Sequence, residues 1–138
     1  MIEDRAEIQD LNSRYAVAFD GGRLDEAVEC WAEDGVLDET ETGFGLFEGR
    51  DAIRAFFRDT LMANSAHVIH MMFNHLITRI DGDHGEGSVH CQVEVVKTDG
   101  GYARAHVKYT DRYVRDGGGW RFASRVVTSA FPHQALTT

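Results

Sequence analysis

The chain has 138 residues, of which 43% are hydrophobic, and it carries a formal net charge of -9 from 23 acidic and 14 basic side chains. This length supports one domain with a single hydrophobic core and is short for two, so we expect one domain spanning residues 1–138. The negative charge disfavours nucleic-acid phosphates and anionic membrane surfaces as partners, and no apolar run approaches the roughly 20 residues needed to cross a bilayer.

The first third of the chain predicts a helical hairpin. Over residues 3–19 apolar side chains recur at helical spacing, and acidic residues are concentrated in the first turns, where they favour the helix dipole. This acidic start lacks the basic beginning and apolar middle of a secretory signal, so we expect a soluble protein of the cytoplasm. Gly21-Gly22 ends the first helix, and a second, shorter helix is predicted from Leu24, with Trp31 on its inner face.

The next segment has a weaker pattern. Val36-Leu37-Asp38 predicts a short strand, and the Gly-containing stretch that follows, through Gly49, is interpreted as a mobile loop or lid. A third helix is predicted over residues 51–62, because its apolar side chains fall on one stripe.

Four long strands follow, separated by turns rich in Gly and Asp. They are predicted over residues 66–80, 86–97, 102–115 and 120–131. Glycines in the connections supply positive φ angles at low cost, as hairpin turns require. Helices followed by an up-and-down sheet indicate the α+β class, with the helices packed on a curved, mainly antiparallel sheet.

The strand over residues 66–80 carries the side chains most suited to chemistry. Both of its alternating faces are largely apolar, so both are expected to be covered. Alternation places His70 and Asn74 on the same face, about 13 Å apart at the rise of a strand. We therefore expect the functional site on that face.

Metal, nucleotide and nucleophile chemistry are disfavoured by residue spacing and by missing motifs. His67, His70 and His75 are separated by three and five residues, which puts successive side chains on opposite faces of a strand, and no HExxH motif occurs. Cys30 and Cys91 form no CxxC pair, so both are expected to be reduced core residues. The sequence also lacks Gly-x-Ser-x-Gly, GxGxxG and P-loop motifs. We therefore expect no metal site.

Acid–base catalysis by His70 is the chemistry that these exclusions leave. The unperturbed pKa of histidine, about 6.5, lets the ring take and return a proton near neutrality when a carboxylate fixes its tautomer. Asp20, in the segment AVAFDGG, is the expected partner, since the glycines after it permit close backbone approach. A structural interpretation stands beside this one, in which Asp20 terminates a helix and His70 is a hydrogen-bonded core histidine. The residues alone favour this second interpretation.

Three segments together carry a family resemblance: RYAVAFDGG, which contains Asp20; HMMFN, which begins at His70; and YTDRYVRDGGGWRF near the end. With the helical hairpin, they make the chain similar to the SnoaL-like branch of the nuclear-transport-factor-2-like superfamily over nearly its whole length. The resemblance implies a cone-shaped α+β barrel, in which a strongly curved sheet wraps the helices around an apolar pocket. Such a fold does not by itself decide function.

Within that superfamily the resemblance is sharper to a subset. Bile-acid 7α-dehydratase resembles this chain in having a Tyr five residues before an Asp, here Tyr15 and Asp20, and a pocket His, here His70. Hexachlorocyclohexane dehydrochlorinase and scytalone dehydratase share a comparable Asp and His. These relatives imply proton abstraction by an Asp-supported His and loss of water or halide from the neighbouring carbon, without metal or organic cofactor. Tyr15 is then expected to donate a hydrogen bond to a substrate oxygen. On a regular helix Tyr15 and Asp20 lie about 140° apart, so we expect the helix to loosen or end before Asp20.

The resemblance favours a cofactor-independent lyase of the dehydratase type, acting on a small apolar alicyclic or polyketide-like molecule. Isomerisation or ring closure by the same base is one alternative, and a non-catalytic ligand-binding or accessory-subunit protein is the other. For each expected wall residue taken singly, core packing is the simpler interpretation. The residues expected to contact the substrate are Trp31, Phe56, Met72, Asn74 and Tyr109, with Phe57 and Phe73 as further candidates for the wall.

The strands also carry apolar residues on both alternating sets of positions. On the last strand, alternation places Trp120, Phe122 and Val126 on one face and Val127 and Phe131 on the other. One face can line the pocket, but a monomer would then expose more apolar surface than the few hundred Å² usual for soluble proteins. We therefore predict a homo-oligomer, a dimer or a trimer, formed through the outer face of the sheet as in the relatives.

Overall fold

The computed structural model describes residues 1–131 as N-terminal helices packed against the concave face of one six-stranded sheet. The helices are α1 (Ile2–Asp20), α2 (Leu24–Val28) and α3 (Arg50–Phe56), and α3 continues into a π-helical turn (Phe57–Leu61) and a 3₁₀ turn (Met62–Asn64). The strands are β1 (Trp31–Glu39), β2 (Gly45–Glu48), β3 (Ser65–Asp81), β4 (His84–Lys97), β5 (Tyr102–Asp116) and β6 (Gly119–Ser129). They are ordered β2-β1-β6-β5-β4-β3, with β1 and β6 parallel and every other neighbouring pair antiparallel. The predicted α+β class is confirmed, as is the curved, mainly antiparallel sheet.

Helix α1 fills the concave side of the sheet. Its buried residues are Ile8, Leu11, Asn12, Tyr15, Ala16, Ala18 and Phe19. The start of the helix is tied to β6, because the Trp120 indole N–H donates to Asp4 Oδ1 at 3.0 Å and the Trp120 backbone N–H donates to Glu7 Oε2 at 2.9 Å. The helix runs through Asp20, so the expectation that it loosens before this residue is wrong. None of the helices within residues 1–131 is long and apolar enough to cross a membrane.

The chain leaves the second helix earlier than predicted. Trp31 begins β1 instead of lying on α2, because its backbone pairs beside Phe122 of β6, whose N–H donates to the Cys30 carbonyl at 2.8 Å. The segment predicted as a mobile loop or lid contains β2, which runs antiparallel to β1. Residues 40–44 connect these two strands. The loop prediction is therefore wrong for Gly45–Glu48.

A bulge in β3 changes which of its side chains face the helices. Phe73 pairs with His90 of β4 but Leu76 pairs with Ser88, so β3 holds one residue more than β4 over this stretch. Asn74 adopts a φ of 56°, a left-handed conformation that a bulge accommodates. The extra residue shifts the alternation, so Asn74 is exposed, with its amide nitrogen 3.5 Å from Nδ1 of His90. The expectation that Asn74 shares a face with the inward-facing histidine of β3 is wrong.

Strand β6 has a similar irregularity. Its pairing with β5 shifts by one residue next to Arg112, which leaves Ala123 as an extra residue of β6. The buried residues of the strand are Trp120, Phe122, Arg125 and Val127. Strict alternation predicts Val126 on the face of Phe122 and Val127 on the opposite face, and the bulge reverses this. It also turns the charged side chain of Arg125 into the core.

Candidate active site

His70 and Asp20 form a hydrogen-bonded pair at the end of α1. His70 lies on the inner face of β3, where its side chain is 7% exposed, and Asp20 is the last residue of α1. Nδ1 of His70 is 2.6 Å from Oδ1 of Asp20, and the backbone N–H of His70 donates to Oδ2 at 2.8 Å. A carboxylate in this position holds a proton on Nδ1 and leaves the lone pair of the neutral ring on Nε2. The pair can therefore act as a base through Nε2.

Two aromatic rings of α1 flank the imidazole. The ring centroids of Tyr15 and Phe19 lie 5.5 and 5.1 Å from that of His70, both in edge-on arrangements. Tyr15 and His70 line one cavity, whereas Asp20 lines a neighbouring groove. Tyr15 and Asp20 thus do not share a pocket, in agreement with their angular separation on a regular helix. His70 connects the carboxylate on one side with the cavity on the other.

The cavity has a volume of about 460 Å³, which is within the range of small-molecule sites. Its walls are largely aliphatic and come from β4, β5 and β6: Val93, Val95, Ala103, Ala105, Val107 and Val127. Tyr15, His70 and Tyr109 are among the polar side chains that reach it. An apolar cavity with a few polar groups on its wall suits a small, largely apolar ligand.

Three of the predicted aromatic wall residues, Trp31, Phe56 and Phe57, pack in the core and do not line the cavity. The Trp31 indole N–H donates to the Val36 carbonyl at 3.2 Å, which buries the ring away from the cavity. Phe56 is stacked on Phe47 with ring centroids 4.1 Å apart. Phe57 is fully buried, with its ring centroid 5.7 Å from that of Trp31. Packing against other aromatic rings therefore occupies these three side chains.

The substrate contacts that were predicted from β3 also lie away from the cavity, except for His70. Met72 faces inward, opposite Cys91 of β4, but it packs against the core and does not line the cavity. Phe73 and Asn74 are exposed on the other face of the strand. The structure thus brings Tyr15, His70 and Tyr109 to the cavity, together with Asp20 through its bonds to His70. It does not bring Trp31, Phe56, Met72 or Asn74 there.

Tyr15 and Tyr109 are buried phenols. Burial raises the pKa of each well above its ordinary value, and the negative charge of Asp20 acts on Tyr15 in the same direction. The nearby positive charge of Arg125 opposes this effect without overcoming it. Both phenols therefore keep their protons at neutral pH and can donate hydrogen bonds to a ligand oxygen.

A buried ion pair lies behind the two phenol rings. Arg125 donates from Nε and Nη2 to the two carboxylate oxygens of Asp111, each at 2.8 Å, and Nη2 also donates to Asn12 Oδ1 at 2.7 Å. The guanidinium carbon is 4.0 Å from the ring centroid of Tyr109 and 5.4 Å from that of Tyr15. Burial acts to lower the pKa of the Arg125 guanidinium, but the charge and hydrogen bonds of Asp111 raise this pKa above its ordinary value, so the group stays charged. A fixed positive charge therefore stands behind the phenols that line the cavity.

Sequence reasoning misses this ion pair. Arg125 and Asp111 stand at directly paired positions of β6 and β5, and both are about 1% exposed. The available signal is that Asp111, in YTDRY, and Arg125, in ASRVV, are charged residues inside predicted strands. Nη1 of Arg125 is buried and has no hydrogen-bond partner within residues 1–131.

A carboxyl group that lines the cavity is also missed from sequence. Glu39 lies at the end of β1, two residues after the buried Leu37 and on the same face, and it lines the cavity. Its Oε2 is 2.6 Å from Oγ1 of Thr42, which lies in the turn that follows. Burial raises the pKa of Glu39, although the bond to Thr42 acts in the opposite direction. The weak sequence pattern around Glu39 gives no indication of this environment.

The described side chains were also compared with the requirements of a metal site. Within the part of the chain that the structure describes, no group of three or more His, Cys, Asp or Glu side chains is arranged to hold a metal ion.

The profile of the family described as SnoaL-like domain matches residues 1–126. The uncharacterized protein Rv2910c of Mycobacterium tuberculosis (strain ATCC 25618 / H37Rv) is 30% identical over 135 residues, which cover 94% of this chain and 88% of the relative.

Solved structures give the same fold under different names. A protein of Novosphingobium aromaticivorans, provisionally named an aromatic ring hydroxylase, superposes with a TM-score of 0.91 at 29% identity, covering 96% of this chain and 92% of that one. Hexachlorocyclohexane dehydrochlorinase (LinA) type 2 gives a TM-score of 0.85 at 21% identity, covering 94% and 87% of the two chains. A provisionally named scytalone dehydratase of Novosphingobium aromaticivorans also gives 0.85, at 18% identity, covering 94% and 86%.

Proposed function

We propose that this chain, which belongs to the SnoaL-like domain family, is a cofactor-independent lyase of the dehydratase type. The observation that carries the proposal is the 2.6 Å contact between Nδ1 of His70 and Oδ1 of Asp20, on a histidine that lines an apolar cavity of about 460 Å³. A carboxylate on one ring nitrogen and a cavity beside the ring is the arrangement that a general base requires.

In the proposed reaction His70 takes a proton through Nε2 from a carbon next to a carbonyl group. Asp20 stabilises the imidazolium that forms, and its bond to the His70 backbone keeps the ring in position. Negative charge then develops on the carbonyl oxygen, where a hydrogen bond from Tyr15 lowers its energy. Loss of a hydroxyl group from the next carbon along completes the elimination.

The surroundings of the cavity support a role for Tyr15 and a supporting role for Arg125. A phenol with a raised pKa donates a hydrogen bond without losing its proton. The guanidinium of Arg125 behind the Tyr15 ring adds a positive potential on the side where we expect the substrate oxygen. We assign Tyr109 to the wall that contacts the substrate.

The apolar walls favour a small alicyclic or polyketide-like substrate. The names dehydrochlorinase and dehydratase, carried by two structural neighbours, agree with an elimination. The name hydroxylase, carried by another, does not describe one. The proposal therefore rests on the geometry of His70 and Asp20 and not on those names.

A phenyl-substituted β-hydroxycyclohexanone tests the function, since it presents an acidic α-proton and a β-hydroxyl group on an apolar ring that fits the cavity. We expect the protein to convert it to the enone, detected by ultraviolet absorbance and by a mass loss of one water. Exchange of the α-proton without enone formation would favour an isomerase or cyclase. Binding with neither exchange nor enone formation would favour a non-catalytic ligand-binding protein.

We also propose that the protein is a homo-oligomer assembled through the outer face of the sheet. Ile69, Phe73, Val96 and Tyr102 are exposed there on three neighbouring strands, β3, β4 and β5. Contiguous apolar side chains on a sheet surface are typical of an interface between protein chains. Dimer and trimer are both compatible with this face.

A further inference from the structure

Two carboxyl groups lie at or near the cavity, and they differ in the hydrogen bonds that stabilise a negative charge on them. Asp20 accepts hydrogen bonds from the ring and the backbone of His70, so a negative charge on it is well supported. Glu39 has less support, because within residues 1–131 it forms no ion pair and the hydroxyl of Thr42 is the only hydrogen-bond partner of its carboxyl group. Even a half-buried carboxylate is destabilised relative to the neutral acid when it has no cation or N–H donors.

The contacts of Thr42 involve only one of the two carboxyl oxygens of Glu39. Its Oγ1 is 2.6 Å from Oε2 of Glu39 and 3.0 Å from the main-chain oxygen of the same residue. A hydroxyl that donates to Oε2 fits the carbonyl oxygen of a neutral carboxyl group, whose proton then lies on Oε1. Oε1 makes no hydrogen bond within residues 1–131, which leaves its proton available to a ligand in the cavity.

We propose that Glu39, in its protonated form, delivers a proton to the leaving oxygen of the substrate, as the acid that complements the base His70. This proposal rests on the elimination proposed above. Hydroxide is a poor leaving group, so an elimination of water needs an acid as well as a base. Two titratable groups in one cavity, one stabilised as a base and the other as an acid, provide both roles.

The elimination takes one proton from the substrate and gives one proton to it. His70 takes the α-proton, the electrons of that C–H bond form the C=C bond, and the C–O bond to the β-hydroxyl breaks. The O–H bond of Glu39 breaks as its proton joins the departing oxygen, which leaves as water. Imidazolium at His70 and carboxylate at Glu39 then return to their starting forms by exchanging protons with solvent. The step therefore needs no oxidant or reductant.

The groups that surround Glu39 are consistent with a neutral acid. Burial is the largest effect on its pKa and raises it, and the adjacent charge of Asp38 acts in the same direction. Arg125 lies behind the phenol rings and is paired with Asp111. The titratable groups that share the cavity with Glu39 are Tyr15 from α1, His70 from β3, Lys97 from the end of β4 and Tyr109 from β5.

A titration of the free protein tests the protonation of Glu39 without any substrate. Glutamate labelled at its side-chain carboxyl carbon is incorporated, and the carboxyl resonances of the wild type are followed by NMR against pH. We expect one resonance that is missing in Glu39→Gln but present in Glu41→Gln, a control at an exposed acid of the same turn. It should titrate above the usual glutamate pKa of about 4.3. Titration of this resonance in the ordinary range would overturn the proposal.

A change of leaving group tests the acid role. Chloride departs without a proton, so the β-chloro analogue of the cyclohexanone probe needs the base but not the acid. We expect Glu39→Gln to slow loss of water by about 10²-fold or more while loss of chloride is little changed. His70→Ala should slow both reactions. Equal effects of Glu39→Gln on the two reactions, or no effect on either, would overturn the acid role.

These outcomes separate the two proposals. If the wild type eliminates neither water nor chloride, the proposed lyase function fails, and the acid role fails with it. If the wild type eliminates both and Glu39 titrates as an ordinary surface acid, the acid role alone fails.

Discussion

Asp20 holds His70 at two points, with Oδ1 at 2.6 Å from the ring Nδ1 and Oδ2 accepting the His70 backbone N–H at 2.8 Å. The second bond is independent of the ring, so it positions the carboxylate even when the imidazole changes its protonation state. The ring therefore has a fixed partner on one nitrogen, and its other nitrogen is directed away from that partner by the geometry of imidazole.

Replacement of Asp20 by Asn is expected to lower kcat by about 10²- to 10⁴-fold. An amide has one acceptor oxygen where the carboxylate has two, so either the ring N–H or the backbone N–H of His70 loses its acceptor. It also cannot stabilise an imidazolium by charge. Steady-state kinetics with the β-hydroxyketone measures the loss, and circular dichroism confirms that the fold is kept.

Asp10→Asn is the matched control for this variant, since Asp10 is exposed on the same helix. It removes the same charge from the chain but should leave kcat unchanged. A value for Asp20→Asn close to that of Asp10→Asn would mean that Asp20 only ends the helix.

Replacement of Tyr15 by Phe is expected to lower kcat about 10²-fold, because the developing negative charge loses a hydrogen-bond donor. Stability should change little, since the ring and its contacts with Trp31 and His70 are kept. Turnover and thermal unfolding are compared with those of Tyr102→Phe, which removes a hydroxyl at an exposed position. Unchanged turnover in Tyr15→Phe would show that the hydroxyl has no part in the reaction.

The Arg125–Asp111 ion pair is expected to give strongly non-additive effects on stability. Arg125→Met leaves a buried carboxylate without its cation, and Asp111→Leu leaves a buried guanidinium without its anion, so each should cost about 3–5 kcal/mol. The double variant buries neither charge and should cost much less than the sum. Urea unfolding of the four proteins measures this coupling. Additive losses would show that the two side chains do not depend on each other.

Much of the fold follows from patterns that the sequence displays directly. The spacing of apolar residues predicts α1, and runs of strand formers between glycine turns predict β3 to β6. The bulges at Asn74 and Ala123 do not follow, because each inserts one residue into a two-residue alternation and leaves no compositional mark. These two shifts account for the exposed position of Asn74 and for the buried position of Arg125.

Some residues of the candidate site can be predicted from the sequence and others cannot. Asp20, His70 and Tyr15 can be selected from sequence because their residue types and order match those of a known family. Glu39 and Arg125 cannot, because burial gives each its properties and burial depends on contacts between distant segments. Trp31 and Phe56 show the opposite error, since large aromatic residues suit a core as well as a pocket.

Assembly should be sensitive to charge on the outer face of β3. We expect light scattering of the wild type at micromolar concentration to give a multiple of the 15.5 kDa of one chain. Ile69→Lys should reduce this mass, because a lysine cannot be buried unpaired in an interface. Leu46→Lys, at an exposed residue of β2 on the opposite edge of the sheet, should not. A wild-type mass of one chain would refute the oligomer.

Exchange of the substrate α-proton in D₂O tests the central claim most directly, because it reports on the base without requiring the leaving group to depart. Wild-type protein should exchange the α-proton of the cyclohexanone probe, and His70→Ala should lower the rate by about 10²-fold or more. Added imidazole should restore part of the rate in His70→Ala, since it can occupy the space beside Asp20. Exchange by His70→Ala at the wild-type rate would contradict the assignment of His70 as the base.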